Sequence, residues 1–157
     1  MRNLILGLSV IAIFATLSFA SIATDVFDEA RNRDRETVLR INGAVFFTDI
    51  ADSETERREG LSRKEGLPLD HGLLFEFGTN DYHGIWMREM RFPIDVIWFD
   101  ENFVVVGVKH SFKPDDFPSV AYPDAPARYV LEINAGLARE FNIEVGNQAR
   151  TAVTGLF

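Results

Sequence analysis

The sequence predicts a mainly β (α+β) fold, a small β-barrel-like single domain with two short helices. The chain has 157 residues, which is the size of one domain. Short runs of β-forming residues recur along it, separated by turn signals about every ten residues. An Asn42-Gly43 pair lies between two of these runs, and this dipeptide is a strong indicator of a β-hairpin.

Residues 1–23 are predicted to be an export signal rather than part of the fold. Arg2 gives a positive start, Leu4–Phe19 is largely apolar, and Ser21-Ile22-Ala23 offers the small side chains that a signal peptidase needs. Because the apolar segment is also about long enough to span a bilayer, an uncleaved N-terminal anchor is the alternative. We expect a periplasmic or secreted protein with no membrane contact after cleavage.

The remainder of the chain is expected to be a polar linker followed by one folded unit. Residues 24–35 are mostly polar and charged, whereas residues 36–157 carry the β-forming runs and are predicted to form a single β-rich domain. The sequence has no cysteine, so this domain has no disulfide and depends on burial of its core.

The first half of the domain begins with the hairpin, with strands predicted over 38–41 and 44–47. Ser53-Glu54-Thr55-Glu56 matches a capping box, which predicts a short helix over 52–59 that ends at Gly60.

The second half is predicted to contain mostly strands. Their expected ranges are 72–77, 84–90, 92–100, 103–109, 129–133 and 149–153. Four of the six prolines lie in residues 111–127, and so long an irregular connection is typical of a binding loop or lid. Asn134 is expected to cap one or two helical turns that run through Phe141.

The segment 92–99 is the most informative strand, because apolar residues occupy both of its faces. It should therefore be central in the sheet, with Asp95 buried. A buried carboxylate needs a cationic partner, hydrogen-bond donors or a proton, and Arg88 and Arg128 are the expected partners. The group is either a structural ion pair or the polar centre of a pocket.

Other candidate residues are aromatic or charged. Trp86 and Arg88 could stack on a ligand and pair with its charge, or Trp86 and Met87 could belong to the core with Arg88 on the surface. Glu132 is either exposed at a sheet edge or a second polar member of the pocket. Tyr122 either reaches over the mouth of the barrel or makes only local contacts.

Several function classes are disfavoured. The net charge of -8 argues against nucleic acid as a partner, because phosphate binding requires a basic surface. The three histidines His71, His83 and His110 lack the spacing of a metal-ligand pair, and the chain contains no nucleotide-binding or serine-nucleophile motif. We therefore expect neither a metal nor a cofactor.

The motifs of this chain resemble the bacterial and archaeal domain-of-unknown-function family 192, over Val45 to Val153. The motifs that carry the resemblance are Gly60-Leu61, Gly72–Phe75, Trp86-Met87-Arg88, Phe92–Phe99, Arg128–Glu132 and Gly136. The resemblance implies a small β-rich, barrel-like domain, often behind an export signal, without an agreed activity. The family pattern has Asn-Thr where this chain has Glu89-Met90, so it implies no polar role at those positions.

Our leading hypothesis is a non-enzymatic exported domain that binds a small molecule or an extended peptide in a cleft beneath the 111–127 loop. The residues predicted to bind this ligand are Trp86, Met87, Arg88, Asp95, Tyr122, Arg128 and Glu132. A hydrolase or lyase that acts on an envelope carbohydrate or peptide through Asp95 or Glu132 is one alternative. A structural accessory domain that binds a protein partner is the other, and the sequence leaves open whether the chain is an enzyme.

Overall fold

The computed structural model describes residues 37–153. The predicted export signal (1–23) and linker (24–35) lie outside the described residues. No helix within the described part of the chain is both long enough and apolar enough to cross a membrane.

The described chain consists mainly of strands with two short α-helices and one 3-10 turn. In chain order the elements are β1 (Thr37–Ile41), β2 (Ala44–Ala51), α1 (Glu54–Glu59), β3 (His71–Asp81), β4 (Ile85–Trp86), β5 (Ile94–Phe99), β6 (Val105–Phe112), a 3-10 turn (Pro114–Asp116), β7 (Val120–Ala121), β8 (Ala127–Asn134), α2 (Leu137–Glu140) and β9 (Arg150–Val153).

Within residues 37–153, seven strands form one sheet in the order β6-β5-β8-β3-β2-β1-β9, and β4 pairs with β7 in a separate two-stranded sheet. Neighbours in the large sheet are antiparallel except β2 and β3. The mainly β fold with two short helices is therefore confirmed, but the sheet is not a closed barrel. Its edge strands β6 and β9 do not pair with each other, and the isolated bridge between Val104 and Gln148 joins the chain near their ends.

The local turn and cap signals are confirmed. Asn42 and Gly43 both have positive φ, 47° and 85°, as a tight hairpin turn between β1 and β2 requires. Ser53 accepts a hydrogen bond from the Glu56 N–H, and the Glu56 side chain accepts one from the Ser53 N–H, so the capping box begins α1.

Three predicted elements differ from the structure. The segment 111–127, expected to be irregular, contains the end of β6, the 3-10 turn and β7. The strand expected over 84–90 is limited to Ile85–Trp86, because the Met90 N–H bonds to the Met87 carbonyl oxygen and Glu89 has a φ of 58°. Asn134 does not cap a helix, since β8 extends to this residue and α2 begins after Gly136.

The two faces of the large sheet carry separate hydrophobic clusters, which we name after two neighbouring residues of β5. The Phe99 face includes Leu39, Phe46, Ile97, Phe99 and Leu131. The Trp98 face includes Leu61, Phe75, Val96, Trp98 and Val130. All residues of β5 are buried, which confirms it as a central strand with apolar groups on both faces.

Asp95 lies fully buried on the Phe99 face and accepts hydrogen bonds from backbone groups only. Its Oδ1 accepts from the Ser111 N–H at 2.7 Å, and its Oδ2 accepts from the Gly136 and Ala138 N–H groups at 2.9 Å each. The carboxylate thus ties β5 to β6 and caps the first turn of α2.

The prediction that Asp95 pairs with an arginine is therefore wrong. Arg88 is half-exposed beside Glu89, and Arg128 donates to the Gly78 carbonyl oxygen at 2.7 Å. Backbone donors can satisfy a buried carboxylate as well as a cation can, and no side-chain pattern identifies them in a sequence.

We expect Asp95→Asn to lower the free energy of unfolding by about 2–4 kcal/mol, because the amide nitrogen would face backbone donors that lose their acceptor. Urea unfolding measures this change. The control Asp115→Asn alters an exposed side chain and should change stability by less than about 0.5 kcal/mol. Equal effects of the two substitutions would contradict the structural role of Asp95.

Candidate functional site

A cavity of about 140 Å³ lies on the Trp98 face of the sheet. Four separate parts of the chain enclose it: the end of α1 with the residues after it, β3, the β4 region and β8. The lining residues are Arg57, Arg58, Glu59, Gly60, Leu61, Ser62, Phe75, Phe77, Gly84, Ile85, Trp86, Met90 and Glu132.

Gly60 brings the end of α1 close to the sheet. Its φ of 51° turns the chain away from the helix axis, and this conformation is strained for other residues. A Cβ at this position would lie 3.3 Å from Phe75 Cζ and 3.9 Å from Glu132 Oε2. Glycine therefore keeps the backbone near the cavity without filling it.

Phe75 and Phe77 form the aromatic wall of the cavity, and neighbouring groups hold their rings in place. The Phe77 ring stacks on the His83 ring with centroids 3.6 Å apart, and lies parallel to Phe75 at 6.4 Å. The Arg57 guanidinium lies 5.3 Å from the Phe77 ring centroid and donates to the Glu76 carbonyl oxygen at 2.9 Å. These contacts restrict the positions that both phenylalanine rings can adopt.

Trp86 lies at the mouth of the cavity and is 45% exposed. It belongs to β4, where it is paired with Val120 of β7. The Tyr122 ring that follows β7 packs over Gly84, whose absent Cβ would otherwise lie 2.6 Å from Tyr122 Cε1. Tyr122 is 62% exposed and contacts the lining residue Gly84 without lining the cavity itself.

Glu132 is the buried carboxyl residue of the cavity lining. It lies on β8, between Leu73 of β3 and Val96 of β5 in the sheet register, and is 4% exposed. Among the described residues, none forms a hydrogen bond with its Oε2 atom. Burial raises the pKa of its carboxyl from 4.5 to about 8. Near neutral pH it is therefore a protonated acid, able both to donate and to accept a hydrogen bond.

The structure brings Trp86 and Glu132 into one cavity but separates them from the other candidates. Met87 is a buried core residue of the Trp98 face, next to Trp86 in the chain but not part of the lining. Arg88 lines an adjoining groove. Asp95 lies on the opposite face of the sheet.

Arg128 is also outside the cavity lining. Its Nη1 donates to the Gly78 carbonyl oxygen, and its Nη2 lies 4.0 Å from Glu76 Oε1. These contacts stabilise the far half of β3, where the pairing between β3 and β8 becomes irregular. Its role in the structure is therefore to support this part of the sheet.

Sequence reasoning predicted only Trp86 and Glu132 among the thirteen lining residues and missed the other eleven. Two of them had a usable signal. Gly60 follows a capping-box helix directly, and Phe75 alternates with Leu73 on a strand, which predicts a shared face. Arg57 on α1 and Met90 in the turn after β4 enter the site through the tertiary placement of their segments, which has no such signature.

Metal ligands do not cluster in the described part of the chain. Residues 37–153 contain no group of three or more histidine, aspartate or glutamate side chains placed to hold a metal ion.

Comparisons with known proteins identify the fold and a family. A family model named DUF192 and described as an uncharacterized ACR matches residues 37–151, so the resemblance drawn from the motifs is confirmed. No curated protein matches the chain by sequence.

Two solved structures are similar to this one, each with a TM-score of 0.68. One is a protein of unknown function from Novosphingobium aromaticivorans, 26% identical, with 73% of this chain and 83% of that chain covered. The other is described as a putative transcription regulator from Sinorhizobium meliloti, 24% identical, with 74% and 92% covered. The second likeness shows a common fold alone.

The raised pKa of Glu132 predicts a pH-dependent stability. Between 4.5 and about 8 the folded protein keeps a proton that the unfolded chain releases, so the free energy of unfolding falls as pH rises through this interval. The expected slope from this residue is at most about 1.4 kcal/mol per pH unit.

Urea unfolding between about pH 5 and about pH 8 tests this slope. Glu132→Gln should remove the contribution, whereas Glu144→Gln, at an exposed position, should retain the wild-type slope. If wild type and Glu132→Gln lose stability in parallel as the pH rises, Glu132 does not hold a proton in the folded state.

Proposed function

The chain belongs to the DUF192 family of uncharacterised proteins, and we propose that it is a non-enzymatic binding module. The ligand is a small molecule, or one side chain of a peptide, that enters the cavity on the Trp98 face. The observation that carries this proposal is the buried Glu132 carboxyl, whose Oε2 has no hydrogen-bond partner among the described residues.

A polar group of this kind lowers the stability of the free protein. Burial of a carboxyl without compensating hydrogen bonds costs several kcal/mol, and an apolar residue would fit the neighbouring Leu73 and Val96 without that cost. A bound group that donates to or accepts from Oε2 would recover part of this energy. Such a local departure from a consistent core is expected at functional sites.

The dimensions of the cavity limit what it can enclose. Its volume of about 140 Å³ is close to that of an engineered protein cavity of about 150 Å³ that binds benzene. One ring or one branched aliphatic group therefore fits, between the phenylalanine wall and Trp86. A single polar substituent on that group would reach Glu132.

A hydrolase or lyase is the second candidate, and the raised pKa of Glu132 favours it. An acid that keeps its proton near neutral pH suits a general acid. Of the two carboxyls considered for this role, Asp95 lies on the opposite face with three backbone donors, so Glu132 would have to carry it. The enclosed volume fits one ring rather than the two units that flank a scissile bond, and we prefer binding for that reason.

The binding proposal is tested with neutral ring probes that carry one polar group, namely phenol, benzamide and cyclohexanol. We expect at least one to raise the unfolding midpoint of the full chain and to quench Trp86 fluorescence, because a ligand of the native state stabilises it by mass action. Glu132→Leu and Trp86→Ala should both reduce the effect.

The control is Tyr82→Ala, which removes an exposed aromatic side chain that does not line the cavity and should leave the probe response unchanged. If no probe distinguishes wild type from Glu132→Leu, the cavity is not a ligand site. Turnover of glycosidic or peptide substrates by wild type but not by Glu132→Gln would instead favour the enzyme. If a variant loses stability but probe binding does not change, the result would instead favour a structural accessory domain.

We also propose that the protein acts in the periplasm or outside the cell, a location supported by the apolar segment and small-residue site within residues 1–23. The full chain, produced in a host with a signal peptidase, should yield a mature protein that begins at Thr24. Intact-mass measurement checks this. If the protein is found in the membrane fraction and its mass still includes residues 1–23, the segment is an uncleaved anchor.

A further inference from the structure

A second concave region adjoins the cavity. This groove has a volume of about 380 Å³ and is lined by Arg58, Glu59, Gly60, Ser62, Arg63, Lys64, Arg88 and Glu89. Arg58, Glu59, Gly60 and Ser62 line the cavity as well. The cavity and the groove therefore lie next to each other.

The groove has a local excess of positive charge in an acidic protein. Its lining contains three arginines and one lysine against two glutamates, whereas the whole chain has a net charge of -8. Glu89 contacts two of the arginines, with Arg63 Nε at 2.6 Å and Arg88 Nε at 3.6 Å. The hydrogen bond from Arg63 lowers the pKa of the Glu89 carboxyl. Lys64 forms no ion pair with another described residue.

The two sides of the groove are fastened to each other. The Arg63 N–H donates to the Glu89 carbonyl oxygen at 2.9 Å, and the Ser62 hydroxyl donates to the Arg88 carbonyl oxygen at 2.9 Å. Arg63 and Glu89 both have left-handed backbones, with φ of 64° and 58°. Paired strained residues of this kind persist where the surrounding structure fixes them, and they concentrate at binding sites.

We propose that the groove is an anion subsite of the Glu132 cavity, and that the ligand is an organic carboxylate whose apolar group fills the cavity while its carboxylate lies beside Arg88 and Lys64. This inference rests on the proposed binding function. Guanidinium groups match the geometry of a carboxylate, and Arg88 is half-exposed and accessible to a ligand. The protonated Glu132 adds no negative charge that would repel such a ligand.

Two sources provide this chemistry, a free organic acid and the C-terminal residue of a peptide. Both join an apolar side group to a carboxylate through a short spacer. An acetylated dipeptide that ends in phenylalanine distinguishes the two sources when it is compared with the free acid phenylpropionate. The dipeptide should bind more tightly than phenylpropionate only if the groove also accepts the part of the peptide before its last residue.

The experiment compares carboxylates with their neutral amides on the full chain. Benzoate, phenylacetate, phenylpropionate and phenylbutyrate vary the spacer, and each is titrated beside the matching primary amide. We expect at least one carboxylate to bind about fivefold more tightly than its amide at low salt. Added sodium chloride should remove this preference while leaving the amide affinity unchanged.

The double variant Arg88→Gln/Lys64→Gln should reduce the carboxylate affinity to that of the amide. The matched control, Lys113→Gln/Arg139→Gln, removes the same charge at exposed positions outside the groove and should keep the preference. If amides bind and no carboxylate binds better, the anion subsite is wrong while the binding function remains. If neither class binds, the proposed function itself fails. Equal losses in both double variants would assign the preference to net charge and overturn the subsite.

Discussion

The structure depends on the burial of both faces of its central strands. β5 and β8 are neighbouring interior strands of the large sheet, with one hydrophobic cluster on each face. A polar side chain that is buried on either strand is cut off from bulk water, so its position in the pleat decides which neighbours must satisfy it. Asp95 and Glu132 occupy this situation on opposite faces of the sheet.

These two carboxyls differ in what surrounds them rather than in how deeply they are buried. The turn into α2 directs N–H groups at Asp95, and a further N–H comes from Ser111, so both of its oxygens accept hydrogen bonds from the backbone. Glu132 faces aromatic and aliphatic groups of the cavity, and desolvation favours its neutral form. On one face the Asp95 carboxyl therefore holds neighbouring backbone segments together. On the other face the Glu132 carboxyl has an oxygen, Oε2, without a hydrogen-bond partner among the described residues.

The surroundings of Glu132 are assembled from segments that are far apart in the chain. Gly60 stops α1 next to the sheet, and the loop after it is fastened to residues 88–89 by hydrogen bonds between the two backbones and side chains. This arrangement places a cavity with an aromatic wall next to a groove that has an excess of cationic side chains.

The sequence by itself determined the mainly β class, the Asn42-Gly43 hairpin, the capped helix before Gly60 and the buried centre of the strand 92–99. These features follow from periodicity and turn chemistry, which act over a few residues. Only the tertiary structure decided that the sheet stays open, that Asp95 bonds to backbone donors, and that Glu132 shares a cavity with Trp86. Those outcomes depend on contacts between distant segments and on the directions of backbone N–H groups, which have no signature in the order of the side chains.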